Sequence, residues 1–458
     1  MSEDPRAAVA ELVQRARQGR LVLYAGAGLS LAEPAAGPRS WQLADRLRPA
    51  VAELLGVDQE TLTGDNLERL GERVAADAAD KMSELRRRAA DAAPFCTMEP
   101  NYGHEAVALL MREGVVKAVT ANWDLGIETA GTRLDIKIAG ITTPLERAAL
   151  GQQLPLYKVH GCASRPETLK ATREEVDKPM KWARAEVQQA LVDGTVVFIG
   201  LGSIGAYVNE PFDELVPLWR AVGVTLKVVD PELSKAWREA LGDGADGVHI
   251  DADAAEFLDD LLRAIAREAL GQAVHRVRVI QDEQTAWAET MLHGIQRLDE
   301  ALRDTTGKAV LRWMRDGVTH ARDGEQFVLD HAGEQSLMAL ALLVGRDGGE
   351  LKIELRGPDL AVRTPQQYLE IASRPGERFK EVERSARERV RRRREQGLYG
   401  PGGPVAVAVH GTIGPFPDFE APVDIAAAEG EAFDVAAGNE DNIRLLRAER
   451  AVAGDLAA

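Results

Sequence analysis

Residues 21–30 read LVLYAGAGLS, and the fold can be worked out from this stretch. The apolar run Leu21–Ala25 predicts a buried strand, and Gly26 and Gly28 then let the backbone approach another group closely. A helix-like pattern resumes at Trp41–Leu47. A strand, a glycine loop and a helix are the usual parts of a nucleotide phosphate site. The alternative interpretation is a plain tight turn.

The glycine loop departs from the dehydrogenase fingerprint, which needs a third glycine and an acidic residue at the end of a second strand. Leu31 stands at the third glycine position, and the nearest acid, Asp45, lies in a helical pattern. The sequence therefore predicts a dinucleotide site that does not follow the dehydrogenase scheme.

Length and charge narrow the class of protein. A chain of 458 residues is expected to form two or three domains. Its net charge of −17 disfavours direct nucleic-acid binding, except at a local basic patch. The sequence contains no long uninterrupted apolar stretch, which predicts no membrane span, and its charged N-terminus lacks a signal-peptide core. We expect a cytoplasmic protein.

The sequence contains two cysteines, Cys96 and Cys162, far apart and each without a neighbouring cysteine. Structural zinc sites use thiolates in pairs, and disulfide frameworks need several cysteines. We therefore expect no zinc and no other bound metal. Both thiols are predicted to be buried or half-buried.

Alternating apolar runs and helical patterns fill the first 270 residues. Strands are predicted at Leu21–Ala25, Val115–Thr120, Leu134–Ala139, Pro155–Val159, Thr195–Ile199 and Thr225–Val229. Helices are predicted at Glu11–Gln18, Asn66–Ala93, Glu105–Glu113, Arg173–Val192, Asp213–Ala221 and Ala254–Glu268. This alternation predicts an α/β domain, a doubly wound Rossmann-like parallel sheet with a helical insertion, over residues 1–270.

A second α/β or α+β domain is predicted over residues 274–458, with a regulatory or assembly role. It begins with a helix near Thr285–Arg303, and strand-like segments follow at Gln326–Leu329, Leu351–Leu355 and Val405–Val409. Residues 374–394 contain ten basic and four acidic side chains. This segment is interpreted as a solvated helix face, and the alternative is a contact with phosphate or with an acidic partner.

Several predicted strands end in polar residues, where ligands of doubly wound domains bind. Asn122 and Asp124 follow one strand; the alternative to a ligand role is a turn that caps the next helix. His160, followed by a glycine, ends another strand, and histidine suits general base catalysis although a lone histidine is more often structural.

The remaining strand ends carry a second glycine loop and an acid. Gly200, Gly202 and Ser203 follow one strand and are candidates for a phosphate or ribose contact. Asp230 follows the next strand and is a candidate for the adenosine ribose. An aspartate before a proline is also an ordinary turn former.

The order of these motifs resembles the sirtuin family, specifically its bacterial defence-associated branch, over residues 10–270. The matching motifs are Gly-Ala-Gly-x-Ser, Pro100-Asn101 with His104, Thr-x-Asn-x-Asp, Lys-Val-His-Gly, Gly-x-Gly-Ser and the final acid. The resemblance implies that Asn122 and His160 form the catalytic pair and that Asp124 positions the Asn122 loop. It further implies that two groups of residues hold NAD, the substrate. Ala25, Gly26, Gly28 and Ser30 would contact its phosphates, and Gly200, Gly202, Ser203 and Asp230 its adenosine half.

The sequence departs from the protein-deacylating sirtuins in three places. Their four-cysteine zinc module precedes the second glycine loop, whereas residues 162–194 contain one cysteine. Their Pro-Asp-Phe-Arg run is replaced by Pro38-Arg39-Ser40-Trp41, which is similar to the defence branch. Residues 203–209 also form a longer segment than the family's short acidic turn.

By resemblance, the leading hypothesis is hydrolysis of the nicotinamide–ribose bond of NAD by an abortive-infection effector of anti-phage defence. Two alternatives stay open, namely protein deacylation or ADP-ribosyl transfer, and a catalytically silent NAD-binding scaffold. The resemblance and the acidic charge point to a homo-oligomer that works with a HerA-type ATPase or a short Argonaute.

Overall fold

The structure is a computed structural model of the chain. In the first part of the chain it describes residues 5–18, 21–134, 136–177, 195–202 and 226–280. Farther along it describes residues 285–317, 320–323, 326–329, 337, 340–341, 343–345, 347–356, 359–373, 379–399, 405–410, 433–434 and 443–447. The chain divides into two compact units, residues 1–261 and 262–458.

The first unit contains a seven-stranded sheet in which every strand pair is parallel. Its strands are β1 (Leu21–Ala25), β2 (Val116–Thr120), β3 (Ile138–Ile141), β4 (Leu154–Lys158), β5 (Thr195–Ile199), β6 (Leu226–Val229) and β7 (His249–Ile250). The strand order is β3-β4-β2-β1-β5-β6-β7. All residues of β1 and β5 are buried, as expected for central strands that are covered on both faces. The predicted Rossmann-like α/β fold is confirmed.

The strand ends lie at one level across the middle of the sheet. Ala25 pairs with Thr120 on one side and with Ile199 on the other. Thr120 pairs in turn with Lys158, the last residue of β4. After β4 the chain crosses to β5 on the far side of β1, so this edge is the topological switch point at which such sheets bind ligands.

Ten helices are described in residues 5–280. They are α1 (Pro5–Arg17), α2 (Ser40–Leu55), α3 (Leu67–Asp77), α4 (Met82–Asp91), α5 (Tyr102–Arg112), α6 (Gly126–Arg133), α7 (Pro144–Ala148), α8 (Arg173–Asp177), α9 (Lys235–Leu241) and α10 (Ala254–Ile280). Helices α2, α3 and α4 lie between β1 and β2 in the chain and bury their leucines together with Ala163, Leu169 and Ala171. The helical insertion therefore has its own core, which includes the chain that follows β4.

Two predicted elements differ from the structure. The pattern over 66–93 predicts one helix, but the chain forms α3 and α4, because Ala78 leaves the helical region with φ −151° and ψ 54°. The strand predicted at 134–139 begins only at Ile138, since Leu134 ends α6. The predicted helices over 178–192 and 213–221 lie outside the described residues.

The second unit contains a mixed sheet and helices, in agreement with the predicted α/β or α+β class. Its sheet order is β10-β11-β12-β13-β15-β14, and β8 and β9 form a separate antiparallel pair. The helices are α11 (Thr285–Asp304), α12 (Gly307–Gly317) and α13 (Phe379–Glu395). The strands are β8 (His320–Asp323), β9 (Gln326–Leu329), β10 (Lys352–Arg356), β11 (Asp359–Arg363), β12 (Tyr368–Ser373), β13 (Val405–His410), β14 (Phe433–Asp434) and β15 (Ile443–Arg447).

The basic segment forms α13, and part of its charge is used inside the unit. Arg389 and Arg393 contact the buried carboxylate of Glu370 at 2.9 and 2.7 Å. A solvated helix face therefore describes only some of these arginines. None of the described helices is long and apolar enough to cross a membrane.

Candidate functional site

The two glycine loops of the first unit pack against each other at the ends of β1 and β5. The amides of Gly26 and Gly28 donate to the carbonyls of Ile199 and Gly200 at 2.9 and 2.8 Å. A Cβ atom on Gly28 would lie 2.5 Å from the Cα of Gly200. Gly200 itself has φ +60°, which favours glycine. These glycines are therefore required for the contact between loops, and phosphate binding at the first loop stays a prediction.

The second glycine loop is anchored from α9. Trp237 is fully buried, and its indole N–H donates to the carbonyl of Leu201 at 2.6 Å. Gly202 is exposed, and a Cβ atom there would meet no atom of the described residues within 4 Å. Ser203 lies outside the described residues. Within the part of the loop that is described, Gly202 is therefore the residue open to a close approach.

The hydroxyl of Ser30, at the end of the first glycine loop, joins three side chains from distant parts of the sequence. It donates to Asp124 Oδ2 at 2.9 Å and accepts from the Nδ2 of Asn122 at 3.1 Å. The Nε2 atom of His104 lies 3.1 Å from the same oxygen. All four residues are buried, so a single hydroxyl organises a buried polar network.

The position of the proton on His104 follows from its contacts. The backbone N–H of Asn101 donates to Nδ1 of His104 at 3.2 Å, so a neutral ring carries its proton on Nε2 and donates it to Ser30. Burial lowers the pKa of His104, against the opposing effect of Asp124. The ring is therefore neutral at physiological pH, and it serves as a fixed donor rather than a proton acceptor.

The loop that carries Asn122 is tied to β1 through its backbone. Ala121 N–H donates to the carbonyl of Ala25 at 3.0 Å, and the hydroxyl of Thr120 donates to the same carbonyl. Asp124 Oδ1 accepts from the amide of Gly126 at 2.9 Å, which forms a turn at the start of α6. Asp124 thus combines the expected turn with its contact to Ser30, whereas Asn122 enters the network through its side-chain amide.

His160 lies next to this loop on the neighbouring strand end. Thr120 and Lys158 are paired, and Asn122 and His160 each follow their strand by two residues. His160 is half-buried as a residue, but its Nε2 atom is buried; burial and, to a smaller extent, Lys170 lower the pKa of the ring to about 3. The imidazole is therefore neutral at physiological pH. The role of His160 as a general base stays a prediction.

Asp230, predicted for the adenosine ribose, lies at the end of β6 and forms a local turn. One carboxylate oxygen accepts from the amide of Glu232 at 3.1 Å, and its carbonyl lies 2.7 Å from Nε2 of His249. This is the turn that the Asp-Pro sequence favours, and a ribose contact stays a prediction.

Among the predicted residues, the structure brings Ser30, Asn122 and Asp124 into direct contact, with His160 on the adjacent strand end. The glycines and Asp230 occupy the other half of the same sheet edge. Sequence reasoning assigned no role to His104 or Lys158. A signal for His104 existed, since Asn-x-x-His forms a capping box at the start of α5.

The cysteines differ from the expectation in one respect. Cys162 is buried, with its Sγ 3.2 Å from the Ser164 hydroxyl, but Cys96 is exposed because it lies in the turns between α4 and α5. No group of three or more His, Cys, Asp or Glu side chains suited to a metal occurs within the described residues. The absence of zinc stays an expectation for the whole chain.

Comparison with known proteins finds a similarity for part of this chain. Residues 116–216 match the family model described as "SIR2-like domain". Among solved structures, the chain resembles a histidine-to-asparagine mutant of a Sir2 homologue in complex with ADP-ribose. That match has 16% identity and a TM-score of 0.36, and it covers 57% of this chain and 97% of the other. No curated protein matches the chain significantly. Residues 116–216 are thus similar to a SIR2-like domain.

Proposed function

We propose that the protein hydrolyses NAD at the bond between nicotinamide and ribose. The observation that carries this proposal is the buried network of Ser30, His104, Asp124 and Asn122, which lies at the switch point of the sheet and follows the strand paired with the one that leads to His160. Glycosidic cleavage of NAD requires an immobilised polar group and a base, and we assign these roles to Asn122 and His160.

The proposed reaction breaks the C1′–N bond, and its electron pair neutralises the pyridinium nitrogen of nicotinamide. Positive charge develops on the ribose, and the oxygen of a water molecule bonds to C1′. Because Nδ2 of Asn122 is used by Ser30, we assign its Oδ1 to the ribose hydroxyl or to the water. His160 accepts the proton that water loses, directly or through a ribose hydroxyl, and the products are nicotinamide, ADP-ribose and a proton.

The half of the edge formed by β5 and β6 is proposed to bind the rest of the dinucleotide. Gly202 is exposed and open to a close approach, and Asp230 lies one strand away. Ala25, Gly26 and Gly28 shape the loop that carries Ser30 into the site. We propose that no zinc takes part, since the full sequence offers only two cysteines and one of them is exposed.

We further propose that this activity serves as an abortive-infection effector in bacterial anti-phage defence, which depletes NAD when phage is sensed. The resemblance of the ordered motifs supports this role. The unit at 262–458 is the proposed site of assembly, as a homo-oligomer that acts with a HerA-type ATPase or a short Argonaute. Expression of wild-type protein and Asn122→Ala in infected cells tests the role: only wild type should lower cellular NAD.

The central experiment follows nicotinamide release from NAD by wild type, Asn122→Ala and His160→Ala, alone and with genome-neighbouring partners. Loss of a positioned acid–base group lowers turnover by on the order of 100- to 10,000-fold. Asn66→Ala is the matched control, because Asn66 caps α3 away from the sheet edge. Unchanged turnover in both site variants would refute the mechanism.

Two results would favour the alternatives. Acetyl-lysine turnover equal to plain NAD loss would support deacylation or ADP-ribosyl transfer. Binding of NAD without cleavage, in the presence of every candidate partner, would support a silent scaffold.

A further inference from the structure

Lys158, the last residue of β4, is a fully buried lysine next to the proposed catalytic pair. Its register partner is Thr120, so Lys158 lies on the strand that leads to His160, directly beside the strand that leads to Asn122. Burying an ammonium group is costly unless it is paired and hydrogen-bonded. The surroundings of this group therefore need an explanation.

The ammonium of Lys158 connects the loop after β2 to the helix that follows it. Nζ donates to the backbone carbonyl of Asp124 and, at 3.1 Å, to Oε1 of Glu128 in α6. Asp124 is the residue that accepts the Ser30 hydroxyl, which in turn accepts from Asn122. Lys158 thus bonds to the backbone of Asp124, whose carboxylate contacts Ser30 in the buried network.

Strand β3 leaves room for this ion pair at Gly140. A Cβ atom there would lie 2.6 Å from Oε1 of Glu128 and 2.8 Å from Cδ of Lys158. The carbonyl of Gly140 accepts from Arg165 at 3.0 Å, and Arg165 pairs with Glu146. The small residue in β3 and the arginine that fixes its carbonyl are consistent with a built cavity for the lysine and its carboxylate.

The charge of Lys158 is retained in this cavity. Burial by itself lowers the pKa of Lys158, but Glu128, Cys162 and Asp124 together outweigh it and raise the pKa above its ordinary value. A buried ion pair of this kind contributes little net stability compared with an apolar side chain of similar size. Its contribution is better sought in the placement of the groups that it holds.

We propose that Lys158 is a positioning residue for the reaction: through the Asp124 carbonyl, it fixes the orientation of Asn122. This inference rests on the proposed NAD hydrolysis. A displacement of a catalytic group by about 1 Å costs on the order of 100-fold in rate, and such a displacement affects turnover more than substrate binding. Glu128 serves as the partner that keeps the lysine in place.

The chain offers a matched control on the same sheet. Lys227 of β6 is also buried, with 4% of its side chain exposed, and its Nζ lies 3.5 Å from a carboxylate oxygen of Glu11. It occupies the second position of β6, away from the strand end. Lys158→Met and Lys227→Met therefore remove the same charge in similarly buried surroundings, at the site and away from it.

The test measures kcat and KM for NAD in full-length Lys158→Met and Lys227→Met, each corrected for its folded fraction. We expect kcat to fall on the order of 100-fold for Lys158→Met, with KM changed less than about threefold, and no change in kcat for Lys227→Met. Full retention of kcat in Lys158→Met, or an equal loss in Lys227→Met, would overturn the proposal and leave NAD hydrolysis standing.

A second readout does not depend on activity. The amide of Leu125 donates to the Phe95 carbonyl, and the amide of Gly126 donates to Asp124, so their hydrogen exchange reports on the loop. We expect faster exchange of both amides in Lys158→Met than in Lys227→Met. Unchanged exchange would overturn the proposal even if wild type fails to cleave NAD, so the two failures are distinguishable.

Discussion

Two buried pairs of a hydroxyl and a carboxylate, one in each unit, have the same chemistry and different architecture. Ser30 donates to Asp124 at 2.9 Å, and Thr364 donates to Asp347 at 2.6 Å. All four residues are buried to a similar degree. The partners are 94 residues apart in the first pair and 17 in the second.

The local pair serves a turn. Between β11 and β12, the backbone N–H of Thr364 donates to the carbonyl of Gln367 at 2.9 Å. The side-chain amide of Gln367 donates to Asp347 at 2.8 Å. The distant pair instead joins the segments that follow β1 and β2, at the topological switch point of the sheet. Burial and hydrogen bonding alone therefore do not mark a functional site. Convergence of distant segments at the strand ends distinguishes the two.

The largest expected effect tests whether the distant pair depends on the contact between glycine loops. Gly28→Ala places a Cβ 2.5 Å from the Gly200 backbone, whereas Gly202→Ala meets nothing within 4 Å among the described residues. Because backbone cannot move aside cheaply, we expect Gly28→Ala to lower the free energy of unfolding by about 3 kcal/mol or more. Gly202→Ala should stay within about 0.5 kcal/mol in urea unfolding.

Equal stability of these two variants would show that the loops move apart without cost, and it would weaken the case that Gly28 is needed to deliver Ser30 to the site.

An intermediate effect tests the comparison directly. Ser30→Ala and Thr364→Val each remove a buried hydroxyl from a carboxylate, and each should cost about 1–3 kcal/mol of stability. Only Ser30→Ala should also lower NAD turnover, by on the order of 100-fold, because Asn122 loses the atom that orients it. Nicotinamide release at equal folded fraction measures this difference. If Thr364→Val lost as much turnover, the two networks would not differ in function.

The last effect concerns pH, and it accumulates gradually over the pH range below 6.5. Burial lowers the pKa of both His104 and His160, to about 3 for His160, so the folded protein does not bind these protons just below pH 6.5 while the unfolded chain does. The contribution of the two histidines to the free energy of unfolding is therefore fully present above pH 6.5. Below pH 6.5 the free energy of unfolding falls by up to about 1.4 kcal/mol per pH unit for each histidine. Urea unfolding from about pH 7 to pH 5 measures this slope.

The same groups predict a flat kcat profile for the folded enzyme over that pH interval, because His160 stays neutral throughout it. The exposed His275, replaced by alanine, serves as the control and should change neither profile. A fall of kcat as the pH drops below about 6.5 would contradict this prediction, because it would show that burial does not lower the pKa of His160.

Much of the fold could be predicted from the chain itself. Apolar runs such as Leu21–Ala25 and Thr195–Ile199 coincide with central strands, because a strand covered on both faces must be apolar at nearly every position. Prediction was weaker where the pattern was ambiguous. The run 66–93 is helical in period throughout, and only the backbone at Ala78 divides it.

The candidate site was predictable in part. Asn122, Asp124 and His160 stood out because polar residues at strand ends are unusual in an apolar pattern. His104 and Lys158 belong to motifs of the sequence but receive no role from it, because one lies in the first turn of a helix and the other is a single lysine in a strand. Their buried contacts arise only when residues tens of positions apart meet.

Local patterns in the chain specify the parallel α/β sheet, the glycine loops and the identity of the polar residues at the strand ends, because periodicity and residue type are local properties. Only folding brings the amides of Gly26 and Gly28 to the carbonyls of Ile199 and Gly200. Only folding brings three side chains to the hydroxyl of Ser30, and the ammonium of Lys158 to the carbonyl of Asp124. Each of these contacts joins segments that are distant in the chain. Their geometry depends on strand order and register, which no local pattern specifies.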